Sequence, residues 1–352
     1  MYRNIRPGKT WYDDRGRRIQ AHGGSLLFAD GKFWWYGENK EGITGRATGE
    51  VCPFWHHGVR LYSSDDLYNW KDEGFCVRES DDPSNPFHPT RIMDRPHVLY
   101  NEKTKKYVLW AKTSAGGFDT CSFSVCVGDG LKDMTFLKEV FPKNHHAGDF
   151  DLFVLGGKGY IVYENPHDSM VCQTLSEDFT DLTDETSVHL RAECPPFVRE
   201  APAFFERDGK YYLLTSGTTG YYPNPSELVE ISSPHGEWGK PFPACLGDEK
   251  GNSFHAQFSS VFRHPFKKGL YVALGDRWLT DLPEDMPDIG RAFYGFFSPT
   301  AGKTIDESEL PSLTDENTSE ADYVWLPLSF DEKGTPFLSW KRLWSTDEYE
   351  DL

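Results

Sequence analysis

Glu200-Ala201-Pro202-Ala203-Phe204-Phe205, then Asp208-Gly209, then Tyr211-Tyr212-Leu213-Leu214 is the stretch that settles the architecture. An apolar run, a two-residue Asp-Gly turn and an aromatic return run make a β-hairpin, because glycine supplies the positive φ that a tight turn demands. The same plan recurs along the chain. His22-Gly23-Gly24-Ser25-Leu26-Leu27-Phe28 turns at Asp30-Gly31-Lys32 and returns as Phe33-Trp34-Trp35-Tyr36. Asp94-Arg95-Pro96-His97-Val98-Leu99-Tyr100 returns as Tyr107-Val108-Leu109-Trp110, and a third copy runs from Asp149 through Gly156-Gly157-Lys158-Gly159 to Tyr160-Ile161-Val162-Tyr163. The last begins at Gln257, turns around Lys267-Lys268-Gly269 and returns as Leu270-Tyr271-Val272-Ala273-Leu274.

Hairpin starts at 22, 94, 149, 200 and 257 suit one four-stranded sheet per repeat, which predicts an all-β, five-bladed β-propeller around a central channel. A plain β-sandwich with chance hairpin similarity would not give regular spacing with a matched starting residue. The composition agrees: 15% of the 352 residues are aromatic, and 32 Gly and 23 Pro mark frequent turns. No linker interrupts the pattern, so residues 1–352 read as one domain. Residues 280–322 lie off the pattern; with 11 Asp/Glu against 2 Lys/Arg they read as a long, acidic, solvated excursion. Residues 323–344 return to strand pattern and are expected to close the ring beside the N-terminal segment.

The formal net charge of −18 argues against a nucleic-acid partner, since an acidic surface repels phosphate. There is no apolar run of the roughly 18 residues a membrane span requires. The first residues lack the apolar stretch of a secretory leader, which points to the cytoplasm, or to secretion if a leader has been removed. Seven cysteines form no CxxC pair and read as buried free thiols. The doublets His56-His57 and His145-His146 do not form chelates, because neighbours on a strand point to opposite faces. No GxSxG, GxxxxGK[ST] or HExxH pattern occurs.

In a propeller the innermost strands line the channel, and their first residues meet at one mouth. That ring comprises His22, Asp94, Asp149, Glu200 and Gln257. A single acid at a strand start is more often a solvated charge or a cap, but three at one repeat position are not. Converging carboxylates repel, so one keeps its proton beside an ionised neighbour, the pairing that general-acid cleavage of a glycosidic bond needs. Trp35, Trp110, Tyr221, Tyr222 and Trp278 are candidates to pack on a sugar face, although core packing is the commoner role of any one aromatic. His255 could point into the channel, as a structural donor or toward a central ion.

The chain resembles the propellers of glycoside hydrolase family 43, in particular their exo-β-1,3-galactanase-like branch. The resemblance rests on Ala21-His22-Gly23-Gly24 with Trp35-Tyr36-Gly37-Glu38, on Tyr62-Ser63-Ser64-Asp65-Asp66-Leu67 with Asn69-Trp70, and on Arg95-Pro96-His97-Val98-Leu99-Tyr100-Asn101. Glu200-Ala201-Pro202, Gly275-Asp276-Arg277-Trp278 and Tyr323-Val324-Trp325-Leu326-Pro327-Leu328 extend it over nearly the whole chain. It implies inverting, exo-acting hydrolysis with Glu200 as general acid and Asp149 tuning it. The family's usual first-blade base is replaced by His22, as in the galactanase-like branch. The base role then falls to Asp94, one methylene shorter than the Glu usual there, or to Gln257 acting through an imidic-acid tautomer. Glu38 is implied as a binder of sugar hydroxyls.

The expected function is release of a terminal sugar, galactose from a β-1,3-galactan-type chain, from an oligosaccharide or polysaccharide partner. An α-L-arabinofuranosidase or β-galactofuranosidase on the same ring is the alternative within enzymes. A non-catalytic carbohydrate-binding propeller is the alternative outside them. No cofactor is required, and a central calcium ion is compatible with such a channel.

Overall fold

The computed structural model describes residues 2–42, 54–114, 120–282, 288–300 and 317–352. The turns read from the sequence set the hairpins. Asp30 and Gly31 have φ of 51° and 75°, Gly156 and Gly157 58° and 79°, and Asp208 and Gly209 52° and 78°. Two successive positive φ values are what a type I′ turn requires, and its twist matches that of the strands it joins. Across these turns Ala29 pairs with Lys32, Leu155 with Lys158 and Arg207 with Lys210.

The first sheet holds β1 (His22–Ala29), β2 (Lys32–Glu38), β3 (Val59–Ser64) and β4 (Lys71–Val77). The second holds β5 (Ile92–Asn101), β6 (Lys106–Ser114), β7 (Ser122–Gly128) and β8 (Thr135–Val140). The third is β9 (Phe150–Leu155), β10 (Lys158–Asn165), β11 (Ser169–Leu175) and β12 (Leu182–His189). The fourth is β13 (Arg199–Arg207), β14 (Lys210–Gly217), β15 (Glu227–Ile231) and the short β16 (Phe242–Pro243). After β17 (Cys245–Leu246) comes the fifth sheet, β18 (Gln257–Arg263), β19 (Tyr271–Arg277) and β20 (Asp322–Pro327). A helix, α1 (Ile289–Phe297), lies between β19 and β20. The sixth sheet joins β17, β21 (Ser329–Phe330) and β22 (Pro336–Ser339), with β17 parallel to β22.

The β-propeller expectation therefore holds, but the count is corrected: six sheets are present among the described residues where five blades were expected. The repeat search registers hairpins, and the extra sheet is built from two-residue and four-residue strands that meet across a long separation, Cys245 with Leu338 and Leu246 with Ser339. Its strands pack beside β20, whereas β1, β5, β9, β13 and β18 neighbour one another in a closed cycle.

Sheets radiating from a channel leave wedges that widen outward, and flat rings fill them, which is the use of so many aromatics. Between the first and second sheets lie Tyr36, Leu61, Met93 and Leu109; between the second and third, Phe123, Phe150 and Tyr163. Phe153, Tyr160 and Val229 fill the next wedge, and Phe205, Phe258 and Tyr271 the one after. Trp35, Trp70, Tyr323, Trp325 and Trp344 close the circle between the fifth sheet and the first. There Ile5 and Trp344 pair as backbone, with the Ile5 N–H 2.9 Å from the Trp344 carbonyl, so residues 323–344 do meet the N-terminal segment.

The excursion at 280–322 differs from the expectation in its described part. Helix α1 buries Ile289, Ala292 and Phe293, so this portion is packed rather than solvated. Residues 283–287 and 301–316, including Pro283, Pro287 and Pro311, lie outside the described residues. Cys76, Cys121, Cys126, Cys172 and Cys194 are free and buried, Cys245 is partly exposed, and Cys52 lies outside the described residues. Among the described residues no helix is long and apolar enough to cross a membrane.

Candidate active site

The mouth of the channel is shaped by one backbone device used three times. His22, Asp94 and Glu200 are each followed by a residue with positive φ: Gly23 at 59°, Arg95 at 54° and Ala201 at 46°. Each is also followed by a shift of register, between His22 and Ser25, Asp94 and His97, and Glu200 and Ala203. A bulge of this kind re-aims the side chain beside it, and non-glycine residues tolerate the left-handed region only where the surroundings enforce it. Glycine is needed in the first sheet for a further reason: a Cβ on Gly23 would collide with the Glu38 carboxylate.

A cavity of about 420 Å³ opens there, lined by Glu38, Asp94, Arg95, Lys112, Asp149, Glu164, Glu200 and Gln257 on its polar side. Lys112 Nζ lies 2.9 Å from Asp149 and 3.0 Å from Asp94, bridging the two. Arg95 holds the other Asp149 oxygen at 2.9 Å and donates to the Gln257 carbonyl oxygen. Trp278 Nε1 donates to that same oxygen at 3.0 Å, while the Gln257 amide nitrogen donates to Glu200 Oε1 and to Ser216 Oγ, each at 3.0 Å. Asp94 also accepts from Trp55 Nε1 at 2.7 Å. Glu38 accepts from the Arg95 backbone N–H at 3.0 Å and pairs with the fully buried Lys40 at 3.0 Å.

This arrangement divides the acids. Burial raises Glu200 well above the ordinary carboxylate range, and the charges of Asp149 and Glu164 push it further the same way. Burial also acts on Asp149, but Arg95 and Lys112 outweigh it and hold Asp149 well below its usual range. Asp94 is lowered in the same manner by Lys112 and Lys40 against burial. Glu38 and Glu164 are pushed up to about 7, each chiefly by burial. Burial works against the charge of Lys112, yet Asp149 and Asp94 keep it protonated. Glu200, pushed toward its neutral form, thus shares a cavity with Asp149 and Asp94, which are held toward their ionised forms.

Of the sequence candidates, Glu200, Asp149, Asp94, Gln257, Glu38, Tyr221 and Trp278 all line this cavity. His22, Trp35, Tyr222 and His255 do not. The His22 ring is fully buried, 2.9 Å from Asp276, 3.1 Å from Gln20 and stacked on Tyr323, so it ties β1 to β19 and β20. Trp35 and Trp110 are consumed by the wedges between sheets. Tyr222 packs under helix α1, and the His255 carbonyl accepts from Arg277 Nε at 3.1 Å. Sequence reasoning missed Lys112, Trp55, Glu164 and the phenylalanines of helix α1. A lysine in the run Val108-Leu109-Trp110-Ala111-Lys112 was the available signal, because a buried lysine needs acids beside it. The helix was signalled by Ile289, Ala292, Phe293, Phe296 and Phe297, whose spacing follows one helical face; the acid-rich composition around them hid it.

Lys112 and Arg95 already pair with the Asp94 and Asp149 carboxylates at this mouth. Among the described residues no group of three or more His, Cys, Asp or Glu side chains is placed to hold a metal.

Comparison with known proteins gives the same direction. The family model for glycosyl hydrolases family 43 matches residues 47–241, more than half of the chain. No curated protein matches in sequence. A solved GH43 β-1,3-galactosidase is 25% identical with a TM-score of 0.77, covering 97% of this chain and 63% of its own. A second, solved with galactodeoxynojirimycin, is 27% identical with a TM-score of 0.76, over 97% of this chain and 100% of its own. The exo-β-1,3-galactanase of Phanerochaete chrysosporium, solved with β-1,3-galactotriose, shares the fold at 21% identity and a TM-score of 0.77, over 98% of this chain and 68% of its own. The chain thus spans less than two thirds of the first of these proteins.

Proposed function

The chain belongs to glycoside hydrolase family 43, and from that membership we propose that it is an exo-acting, inverting glycosidase that releases terminal galactose from β-1,3-galactan-type chains. The observation that carries this reading is the meeting of Glu200, Asp149 and Asp94 in one cavity, where Arg95 and Lys112 pair with the two aspartates and burial raises Glu200. The galactose-specific part draws on the named substrates and ligands of the similar structures.

In this mechanism Glu200 is the general acid. Its Oε1 accepts the Gln257 amide hydrogen, leaving Oε2 to carry the proton to the departing glycosidic oxygen. As the proton leaves, Glu200 becomes an anion that is repelled by Asp149, and the neighbouring Arg95 and Lys112 offset part of that repulsion. Asp94 is assigned as the base that takes a proton from the attacking water on the opposite face of the sugar. Gln257 is assigned a positioning role. Two donors, Arg95 and Trp278, converge on its carbonyl oxygen, and they oppose the imidic-acid tautomer in which that oxygen would itself bear hydrogen. Glu38, Tyr221 and Trp278 are assigned to sugar contact. The substrate is carbohydrate, and the proton transfers described use side chains alone.

Glu200→Gln is expected to lower kcat by about 10²–10⁴-fold while leaving galactose binding intact. Hydrolysis of β-1,3-galactobiose and calorimetric binding of galactose together test this. Undiminished turnover sinks the assignment. Anomer-resolved NMR of the first product should show α-galactose, the mark of inversion. Binding without hydrolysis in the wild-type protein across galactosides and arabinofuranosides would instead support the non-catalytic reading.

A further inference from the structure

The cavity has a second, chemically different wall. Phe293, Phe296 and Phe297, all from helix α1, line it together with the charged groups. The helix is anchored from below: Ile289, Ala292 and Phe293 are buried with Tyr222 packed against them, and the Asp288 side chain caps its first turn through the Arg291 N–H. Phe296 and Phe297 are only half-buried. Their rings stand perpendicular, centroids 4.8 Å apart at 85°, while Phe293 and Phe297 lie nearly parallel at 6.0 Å and 28°. His167 abuts Phe297 edge-on at 4.7 Å.

We infer that the phenylalanines of helix α1 form an apolar subsite of the cavity that takes a flat, apolar aglycone, such as an aryl group, as well as the sugar aglycone of a galactan chain. The inference rests on the glycosidase reading above, because it needs Glu200 to mark where the leaving group departs. Tyr294 of the helix packs against Phe197, 5.7 Å between rings, and Phe197 belongs to the segment that leads into β13 and Glu200. This contact ties the helix to the segment that carries Glu200. A sugar ring is served by one flat platform under its C–H face. Phe296 and Phe297 stand edge-to-face with each other, and together they can offer face and edge contacts to another aromatic ring.

Binding of two non-hydrolysable ligands, phenyl and methyl 1-thio-β-galactoside, tests this by calorimetry. The wild-type protein is expected to bind the phenyl ligand about tenfold more tightly. Phe296→Ala should bring the two affinities close together, and Phe296→Leu, which keeps apolar bulk without the ring, should fall between. Equal affinities in the wild type, binding of neither ligand, or a preference unchanged in both variants would overturn the inference. Hydrolysis of the matching O-glycosides separates the two readings. A wild-type protein that prefers the phenyl ligand but cleaves neither glycoside sinks the enzyme assignment and leaves the aryl subsite. One that cleaves both without any binding preference sinks the subsite alone.

Discussion

Lys112, 2.9 Å from Asp149 and 3.0 Å from Asp94, together with Arg95, 2.9 Å from Asp149, balances the charge of the two acids, while burial raises Glu200 toward its neutral form. Two titrations then bound the proposed activity. Glu200 must hold its proton, so rate is lost as pH rises through its raised pKa. Asp94 must be ionised, so rate is lost as pH falls through its lowered one. Asp149→Asn removes a negative neighbour that raises Glu200, and the alkaline limb of the kcat/KM profile is expected to move to lower pH. An alkaline limb that stays in place would dissociate Asp149 from the tuning role. The acids were legible in the sequence because they share one repeat position, and a repeat position is a place in space. Their cation was not, because Lys112 sits on a second strand and reaches the mouth by the length of its own side chain.

At the scale of the element, close backbone approach sets what the strands accept. Gly37 in β2 faces Ala21 so closely that an added Cβ would collide with that residue's backbone carbonyl, which cannot rotate away as a side chain could. Gly37→Ala is therefore expected to cost about 1–3 kcal/mol, read as a lowered midpoint in chemical denaturation. It should also disturb Glu38, its neighbour in the same strand. Turn chemistry made these strands readable: Asp30-Gly31, Gly156-Gly157 and Asp208-Gly209 each impose a two-residue link and so a register. Helix α1 escaped because nine residues of helical period are embedded in a segment whose acidic composition dominates any wider window.

For the whole molecule, stability depends on closing the circle. Trp344 is 1% exposed, donates from Nε1 to the Trp325 carbonyl at 2.9 Å and fills the wedge where the two ends of the chain meet. Trp344→Ala should cost about 3–5 kcal/mol by thermal or urea unfolding. A cost under about 1 kcal/mol would show that the closing wedge contributes little. The sheet count was the part of the fold least open to sequence reading. A parallel pairing such as Cys245 with Leu338 leaves no turn between its partners to announce it.

The free thiols carry a practical consequence. Cys76 and Cys126 lie in the seam between the first and second sheets and Cys172 in that between the third and fourth; burial pushes all three up, Cys172 to about 12. Maleimide can label each one only while its own seam stands open. Timed quenching with mass spectrometry would turn these sulfurs into independent clocks, revealing whether neighbouring seams part together or in sequence. Equal labelling times at all three would mean the ring opens as one.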